Sequence, residues 1–267
     1  MHPKQLLTHY QIKPKKSLGQ NFLFDENILA QIVAAAEVKP LEPVLEIGPG
    51  LGSLTRLLAQ TNAQVTAVEL DNRFLPILQT ELAFFDNVHL IHGDILEQNL
   101  DALFDRPYKV VANVPYYITG AILRHLFSAQ QKPTCLVMTV QKEVAERITA
   151  VPPQMSLLAI SIQLYGHAEI ITTIKAGAFW PRPDVDSAVI RLSLFPEPLL
   201  PFAEEKRFFK LVKAGFSQKR KQLKNNLRQL GYNSSEISGI LDKAGIDGRR
   251  RAETLTRSEW ITLYKNL

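Results

Sequence analysis

The chain has 267 residues, is 46% hydrophobic, and carries 31 Lys+Arg against 26 Asp+Glu for a net charge of +5. That length supports one large domain, or one large and one small, with a sizeable core. Cys135 stands alone, which excludes an internal disulfide framework or a cysteine-rich zinc site, and no uninterrupted run of about 18 apolar residues offers a membrane span. The start, Met1-His2-Pro3-Lys4, has no apolar stretch of the secretory kind, so a cytoplasmic protein is expected. The six histidines are scattered without His-Glu-x-x-His spacing, so no metal is expected.

In chain order, residues 1–20 form a basic segment. From residue 43, short apolar runs alternate with helical patterns. The spacing predicts strands over Pro43–Ile47, Gln64–Glu69, Asn87–His92, Tyr108–Ala112 and Thr134–Val140. Helices are predicted over Leu51–Gln60, Asn72–Leu82, Ala121–Phe127 and Lys142–Ile148. This alternation implies a parallel sheet covered on both faces, since the strands lack polar alternation. Two further runs, Ala168–Ile174 and Ser187–Leu194, can pair as an antiparallel edge. The proline-dense stretch 196–202 reads as a linker between a domain over 21–195 and a helical domain over 203–267. In the latter, helices are expected over Glu204–Ala214, from a Ser217 cap to Leu230, from a cap at Ser234 or Ser235 to near Gly245, and after the capping-box spacing Thr256–Glu259.

The loop Glu46-Ile47-Gly48-Pro49-Gly50-Leu51-Gly52 follows the first of these strands and opens a helix. Its glycines allow a sharp turn and close approach to a ligand. Glu69 ends the next strand, where a carboxylate can accept both hydroxyls of a ribose; Asp94 ends the third and can accept from an adenine amino group. A dinucleotide fingerprint requires glycine at position 53, which is Ser53. S-adenosylmethionine, an adenosine cofactor without a pyrophosphate, fits this set, with Glu46 placed to order the loop or the ammonium end. The bland alternative is a tight strand-to-helix turn.

Asn113-Val114-Pro115-Tyr116 follows the fourth strand. The Asn113 side-chain oxygen and the Val114 backbone carbonyl can accept both hydrogens of one exocyclic amino group, and Tyr116 can stack on the base that carries it. Asn113 can also serve merely as a helix cap, and Tyr116 and Phe179 as core. The charge is unevenly spread. Residues 1–19 carry four lysines and no acid, residues 20–202 carry 12 basic and 19 acidic side chains, and residues 203–267 carry 15 basic and seven acidic ones. An acidic body with basic ends suggests a polyanion partner. At roughly 100° per residue, Lys221, Lys224 and Arg228 share one helix face, and Leu223, Leu227 and Leu230 the other. Lys219, Arg220, Arg249 and Arg250 add to the candidate phosphate contacts, as do Lys13, Lys15, Lys16 and Arg251.

Together these motifs resemble the KsgA/Dim family of rRNA adenine dimethyltransferases over most of the chain, from about Lys15 to the last helix. Lys16-Ser17-Leu18-Gly19-Gln20-Asn21-Phe22-Leu23 resembles its N-terminal cofactor-closing segment, Phe179-Trp180-Pro181-Arg182-Pro183 its later aromatic motif, and Ala214–Leu227 its helical-domain signature. Val114 stands where leucine is often found. The resemblance implies a class I S-adenosylmethionine-dependent methyltransferase, Rossmann-like, with a mostly parallel seven-stranded sheet and a small all-α C-terminal domain. It places Asn21, Leu23, Glu46, Gly48, Gly50, Glu69, Asp94 and Asn113 at the cofactor, and Asn113, Val114, Pro115, Tyr116 and Phe179 around the target base. The implied substrate is a pair of adjacent adenosines in a hairpin loop near the 3′ end of 16S rRNA, each receiving two methyl groups on N6 as the small subunit assembles, by a monomeric enzyme. Two alternatives share the fold: a large-subunit rRNA adenine methyltransferase of the antibiotic-resistance type, and a non-catalytic nucleic-acid-binding or assembly factor.

Overall fold

The computed structural model describes residues 2–15, 18–114 and 118–267. In chain order the elements are α1 (Pro3–His9), β1 (Phe22–Leu23), α2 (Glu26–Ala36), β2 (Pro43–Ile47), α3 (Ser53–Ala59), β3 (Gln64–Glu69), α4 (Leu75–Glu81), β4 (Val88–His92), α5 (Leu100–Leu103), β5 (Lys109–Ala112), α6 (Thr119–Ser128), β6 (Cys135–Gln141), α7 (Lys142–Ile148), α8 (Leu157–Gln163), β7 (Gly166–Ile174), β8 (Phe179–Trp180), β9 (Ser187–Leu194), α9 (Phe202–Gly215), α10 (Leu223–Leu227), α11 (Ser234–Lys243) and α12 (Arg257–Lys265).

Seven strands form one sheet in the order β4-β3-β2-β5-β6-β9-β7. β2 pairs in parallel with β3 and β5, β3 with β4, and β5 with β6; β9 runs antiparallel to β6. The strand order reverses between β2 and β5, which opens a crevice at their carboxyl ends where open α/β sheets bind ligands. Val44, Leu45, Val110, Val111, Leu136 and Val137 have no more than 1% exposure, because the strands are covered on both faces. On one side α2 and α3 bury Leu29, Ile32, Leu54 and Leu58 in the core with Val44, Val65 and Val137. Asp25 starts α2 by accepting from the N–H groups of Asn27 and Ile28. A second cluster joins Leu6 and Leu7 of α1 to Leu51, Phe74, Ile77, Leu78 and Leu82. The basic N-terminal segment thus carries an apolar helix face.

The chain divides into two compact units: residues up to Ala145 with Glu169–Leu194, and Glu146–Ala168 with Phe195–Leu267. The sequence boundary at 196–202 had assigned 146–168 to the sheet domain. Those residues group instead with the helices, because Met155, Ala159, Ile160 and Leu164 bury their side chains among Phe208, Leu211, Leu255 and Trp260. The proline-dense stretch is itself anchored there by buried Leu200.

In the helical unit, the helix expected over 217–230 is largely replaced. Residues 217–222 form turns, α10 spans five residues, and a 3-10 turn covers Arg228–Leu230. The N–H groups of Leu223 and Lys224 donate to the carbonyls of Arg250 (2.7 Å) and Gly248 (3.2 Å), so a loop 27 and 24 residues downstream supplies acceptors that a continuous helix would have provided. Buried Asn226 donates to the carbonyls of Gly215 (2.6 Å) and Gln218 (3.1 Å), tying the end of α9 to the turn. Asn233, rather than Ser234 or Ser235, caps α11 in a capping box with Glu236, and Thr256 does the same for α12 with Glu259.

Candidate active site

A cavity of about 140 Å³ opens at the carboxyl ends of β2, β3 and β5. Asn21, Leu23, Glu46, Gly48, Gly50, Glu69, Asp94, Asn113, Val114 and Phe179 all line it. Pro115 and Tyr116, expected beside the target base, lie outside the described residues.

The glycine loop follows from β2 and its neighbours. Gly48 and Gly50 have φ of +72° and +58°, which L side chains rarely adopt. A Cβ on Gly48 would sit 3.3 Å from Val114 Cγ1, and one on Gly50 3.3 Å from Phe22 Cε1. The loop is therefore pressed between the segment after β5 and the N-terminal segment. The Gly50 N–H donates to Glu69 Oε2 (2.9 Å), and the Asp71 N–H to Glu69 Oε1 (2.8 Å). Two backbone donors thus fix the carboxylate that ends β3. Burial pushes the Glu69 carboxyl up from its ordinary value, opposed by those two donors.

Glu46 is fully buried, and its Oε2 has no protein partner. Burial pushes its carboxyl up to about 8, opposed by the Thr55 hydroxyl and reinforced by the neighbouring Glu69. Asp94 is placed by its own turn: Oδ1 accepts from the Leu96 N–H (2.9 Å), and Ile95 joins it in the cavity wall. The Asn21 side chain donates to the Gly19 carbonyl (3.1 Å). Phe179 is 3% exposed; it belongs to the core cluster around Val137 and Val189 while also lining the cavity, so the core and site readings of this ring coexist.

A family model described as ribosomal RNA adenine dimethylase matches residues 11–267. The chain belongs to the ribosomal RNA adenine dimethylase family. Among relatives of this dimethylase, Ribosomal RNA small subunit methyltransferase A of Dehalococcoides mccartyi is 44% identical over 263 residues, 97% of this chain and 90% of the relative. The protein of the same name from Geobacillus thermodenitrificans is 42% identical over 276 residues, covering 99% and 94%. Of solved structures, the 23S rRNA methyltransferase ErmE is 31% identical with a TM-score of 0.77, covering 92% of this chain and 99% of that one. A dimethyladenosine transferase from Plasmodium falciparum shares the fold at 24% identity and a TM-score of 0.79, covering 91% and 95%.

In this dimethylase the sequence singles out neither Asp71 nor Arg73, and it offers Gln20 and Phe22 only as members of the 16–23 segment with no role of their own; all four surround the Glu69 turn. The signal was present in Asp71, an acid two residues past Glu69 and just before a helical pattern, but its partner Gln20 is 51 residues away. The basic candidates of the helical unit separate into three kinds. Lys219, Arg220, Lys221 and Lys224 are exposed, the first three in turns rather than on a helix. Arg228 donates to the Ser234 hydroxyl (2.8 Å), and Arg249 pairs with Asp247 (2.8 Å). Arg250 is only partly exposed: its guanidinium pairs with Glu259 and donates to the Thr254 carbonyl and hydroxyl. This holds the 247–254 loop to α12.

Among the described residues no group of three His, Cys, Asp or Glu side chains could hold a metal ion, and no helix is long and apolar enough to cross a membrane.

Proposed function

We propose that the cavity binds S-adenosylmethionine and that the chain transfers its methyl groups to N6 of two adjacent adenosines near the 3′ end of small-subunit rRNA. The observation that carries this reading is the convergence of Glu46, Gly50, Glu69, Asp94 and Asn113 on one cavity at the strand-order reversal. The residues fit the cofactor. Glu69 is an oriented carboxylate for ribose hydroxyls, and Gly50 lets the backbone approach. The unpartnered Glu46 Oε2 is an acceptor that an ammonium group can satisfy. When bound, S-adenosylmethionine supplies a methyl group on a sulfonium, already a strong electrophile.

The chain must then align an amino nitrogen whose lone pair is delocalised into its ring. Asn113 and the Val114 carbonyl, at the cavity end of β5, are the acceptors for its two hydrogens. They favour a more tetrahedral nitrogen as positive charge develops. Tyr116, from its place in the motif, and Phe179 supply aromatic surface for the extruded base, worth about 1–3 kcal/mol per stacked base. Positioning of this kind can contribute about 7–11 kcal/mol in favourable cases. The methylated nitrogen is cationic and loses its proton to water after transfer, so no strong general base is required. The exposed cations at 219–224 serve the RNA backbone.

The large-subunit alternative is less well supported: ErmE is 31% identical, against 42–44% for two small-subunit relatives of near-equal coverage. Labelled methyl transfer to separate small and large subunits, followed by nucleoside analysis, tests the proposal. The expected product is N6,N6-dimethyladenosine on small-subunit RNA alone. Label on large-subunit RNA, or on neither, would overturn it.

A further inference from the structure

We propose that Asp71 and Gln20 are positioning residues that hold segment 18–24 across the cofactor cavity and thereby set how long the cofactor stays bound. This rests on the S-adenosylmethionine reading above.

Asp71 is an acid of 4% exposure with no place in the transfer chemistry. Buried carboxylates are rare without a partner network, and this one has one local partner and one 51 residues away. Its Oδ2 accepts from Gln20 Nε2 (2.8 Å) and from Arg73 Nη2 (2.5 Å), and its Oδ1 from Arg73 Nε (2.8 Å). Gln20 Oε1 in turn accepts from the Lys15 N–H (2.7 Å), while Arg73 Nη1 donates to the Lys13 carbonyl (3.0 Å). The Arg73 guanidinium holds the Asp71 carboxyl well below the usual carboxylate range, so it remains a charged acceptor. Through its backbone N–H the same residue orients Glu69.

The other end of the segment is fixed as firmly. β1 pairs with β8, Phe22 opposite Trp180 and Leu23 opposite Phe179, and the Phe24 N–H donates to the Ala178 carbonyl (3.2 Å). Between these ties, the Phe22 ring lies against Gly50 and edge-on to Phe74, with centroids 5.6 Å apart. Leu18, Gly19, Gln20, Asn21, Phe22 and Leu23 all line the cavity, so Gln20 borders it while tying the segment to Asp71. One short strap therefore joins the turn that carries the ribose-binding acid to the strand that carries Phe179. Among the described residues, the hydrogen bonds at its first end are those of the Gln20 side chain and of the Leu18 N–H to the Lys15 carbonyl (3.1 Å), so Gln20 is the place where a single side-chain substitution loosens it.

Three variants test this: Gln20→Ala, Gln20→Glu, and the exchange Gln20→Glu with Asp71→Asn. Gln20→Ala removes one hydrogen bond to a charged group, so S-adenosylhomocysteine should dissociate about tenfold faster, with faster amide hydrogen exchange over 18–24. Gln20→Glu opposes two carboxylates and should be worse on both readouts. The exchange variant restores an amide–carboxylate contact and the net charge of the pair, but its new amide at position 71 also faces Arg73 Nη2, so it should recover part of the residence time and protection lost in Gln20→Glu. The proposal is overturned if the single variants match the parent chain, or if the exchange variant does no better than Gln20→Glu, since a general packing defect gives no such rescue. If the parent chain binds no S-adenosylhomocysteine, the cofactor reading fails, while hydrogen exchange still decides the strap.

Discussion

Glu46 is a fully buried acid, and burial pushes its carboxyl up to about 8. The folded chain holds the Glu46 proton more tightly than the unfolded chain, whose carboxylate titrates near its ordinary value of 4.5. The stability this provides is complete below about pH 4.5 and is lost as pH rises through about 8. The thermal midpoint of the cofactor-free protein should therefore fall between pH 6 and pH 9, and Glu46→Gln should flatten that fall; an unchanged slope in the variant would remove Glu46 as its source. An ammonium beside Glu46 favours the carboxylate, so cofactor binding should release a proton near neutrality. Calorimetry in buffers of different ionisation enthalpy reads this directly, and buffer-independent heats would count against it. For Asn113→Ala, loss of an acceptor used as charge develops should cost about 10²–10³ in kcat. S-adenosylhomocysteine affinity should stay within a few-fold. Turnover near that of the parent chain would remove Asn113 from the proposed chemistry.

Among the elements, the contact of α9 with α12 is the tightest to test. A Cβ on Gly215 would stand 2.3 Å from Trp260 Cη2 and 3.3 Å from Leu223 Cδ1, whereas Gly239, within α11, has nothing within 4 Å. Gly215→Ala should therefore destabilise by about 1–3 kcal/mol through overpacking. Gly239→Ala should stabilise by about 0.5–1 kcal/mol, as an alanine in an open helix position does. Denaturant midpoints check both, and equal effects would refute the packing argument. The exposed turn before α10 makes a second prediction. Neutralising Lys221 and Lys224 together should lower the slope of log affinity against log salt for RNA by roughly two. An unchanged slope would exclude them from the RNA face. These elements also mark the limit of local reading. All seven strands of the main sheet were legible, because continuous apolar runs between glycine and polar turns have few other solutions. The capping box of α12 was legible from Thr256 and Glu259, and the start of α11 to within a residue or two, although its own capping box, Asn233 with Glu236, was not. The short α10 was not, since carbonyls of Gly248 and Arg250 end the preceding turn from far along the chain. Nor was α8, whose run Leu157–Ile162 is apolar enough to pass for part of a long buried stretch. In the cavity, Glu69, Asp94 and Asn113 were legible from their places at strand ends. Asp71 was not, because its meaning depends on Gln20.

For the molecule as a whole, the basic side chains concentrate after residue 202, away in sequence from the acids that line the cavity. Cofactor affinity should accordingly be nearly indifferent to salt. Affinity for RNA should fall steeply, by orders of magnitude between 50 and 200 mM if six or more phosphates are engaged. Parallel salt titrations of the two ligands check this, and equal sensitivity would contradict it. The division into units has a consequence for how the protein can be cut. The chain passes between them three times, at 145–146, 168–169 and 194–195. No contiguous piece of the gene encodes the helical unit. A fragment ending at Phe195 keeps Met155, Ile160 and Leu164 but loses every later helix that buries them. Such a fragment should aggregate on expression, although it holds every cavity residue. Recombination or truncation at the proline-dense stretch would thus separate partners that must be inherited together.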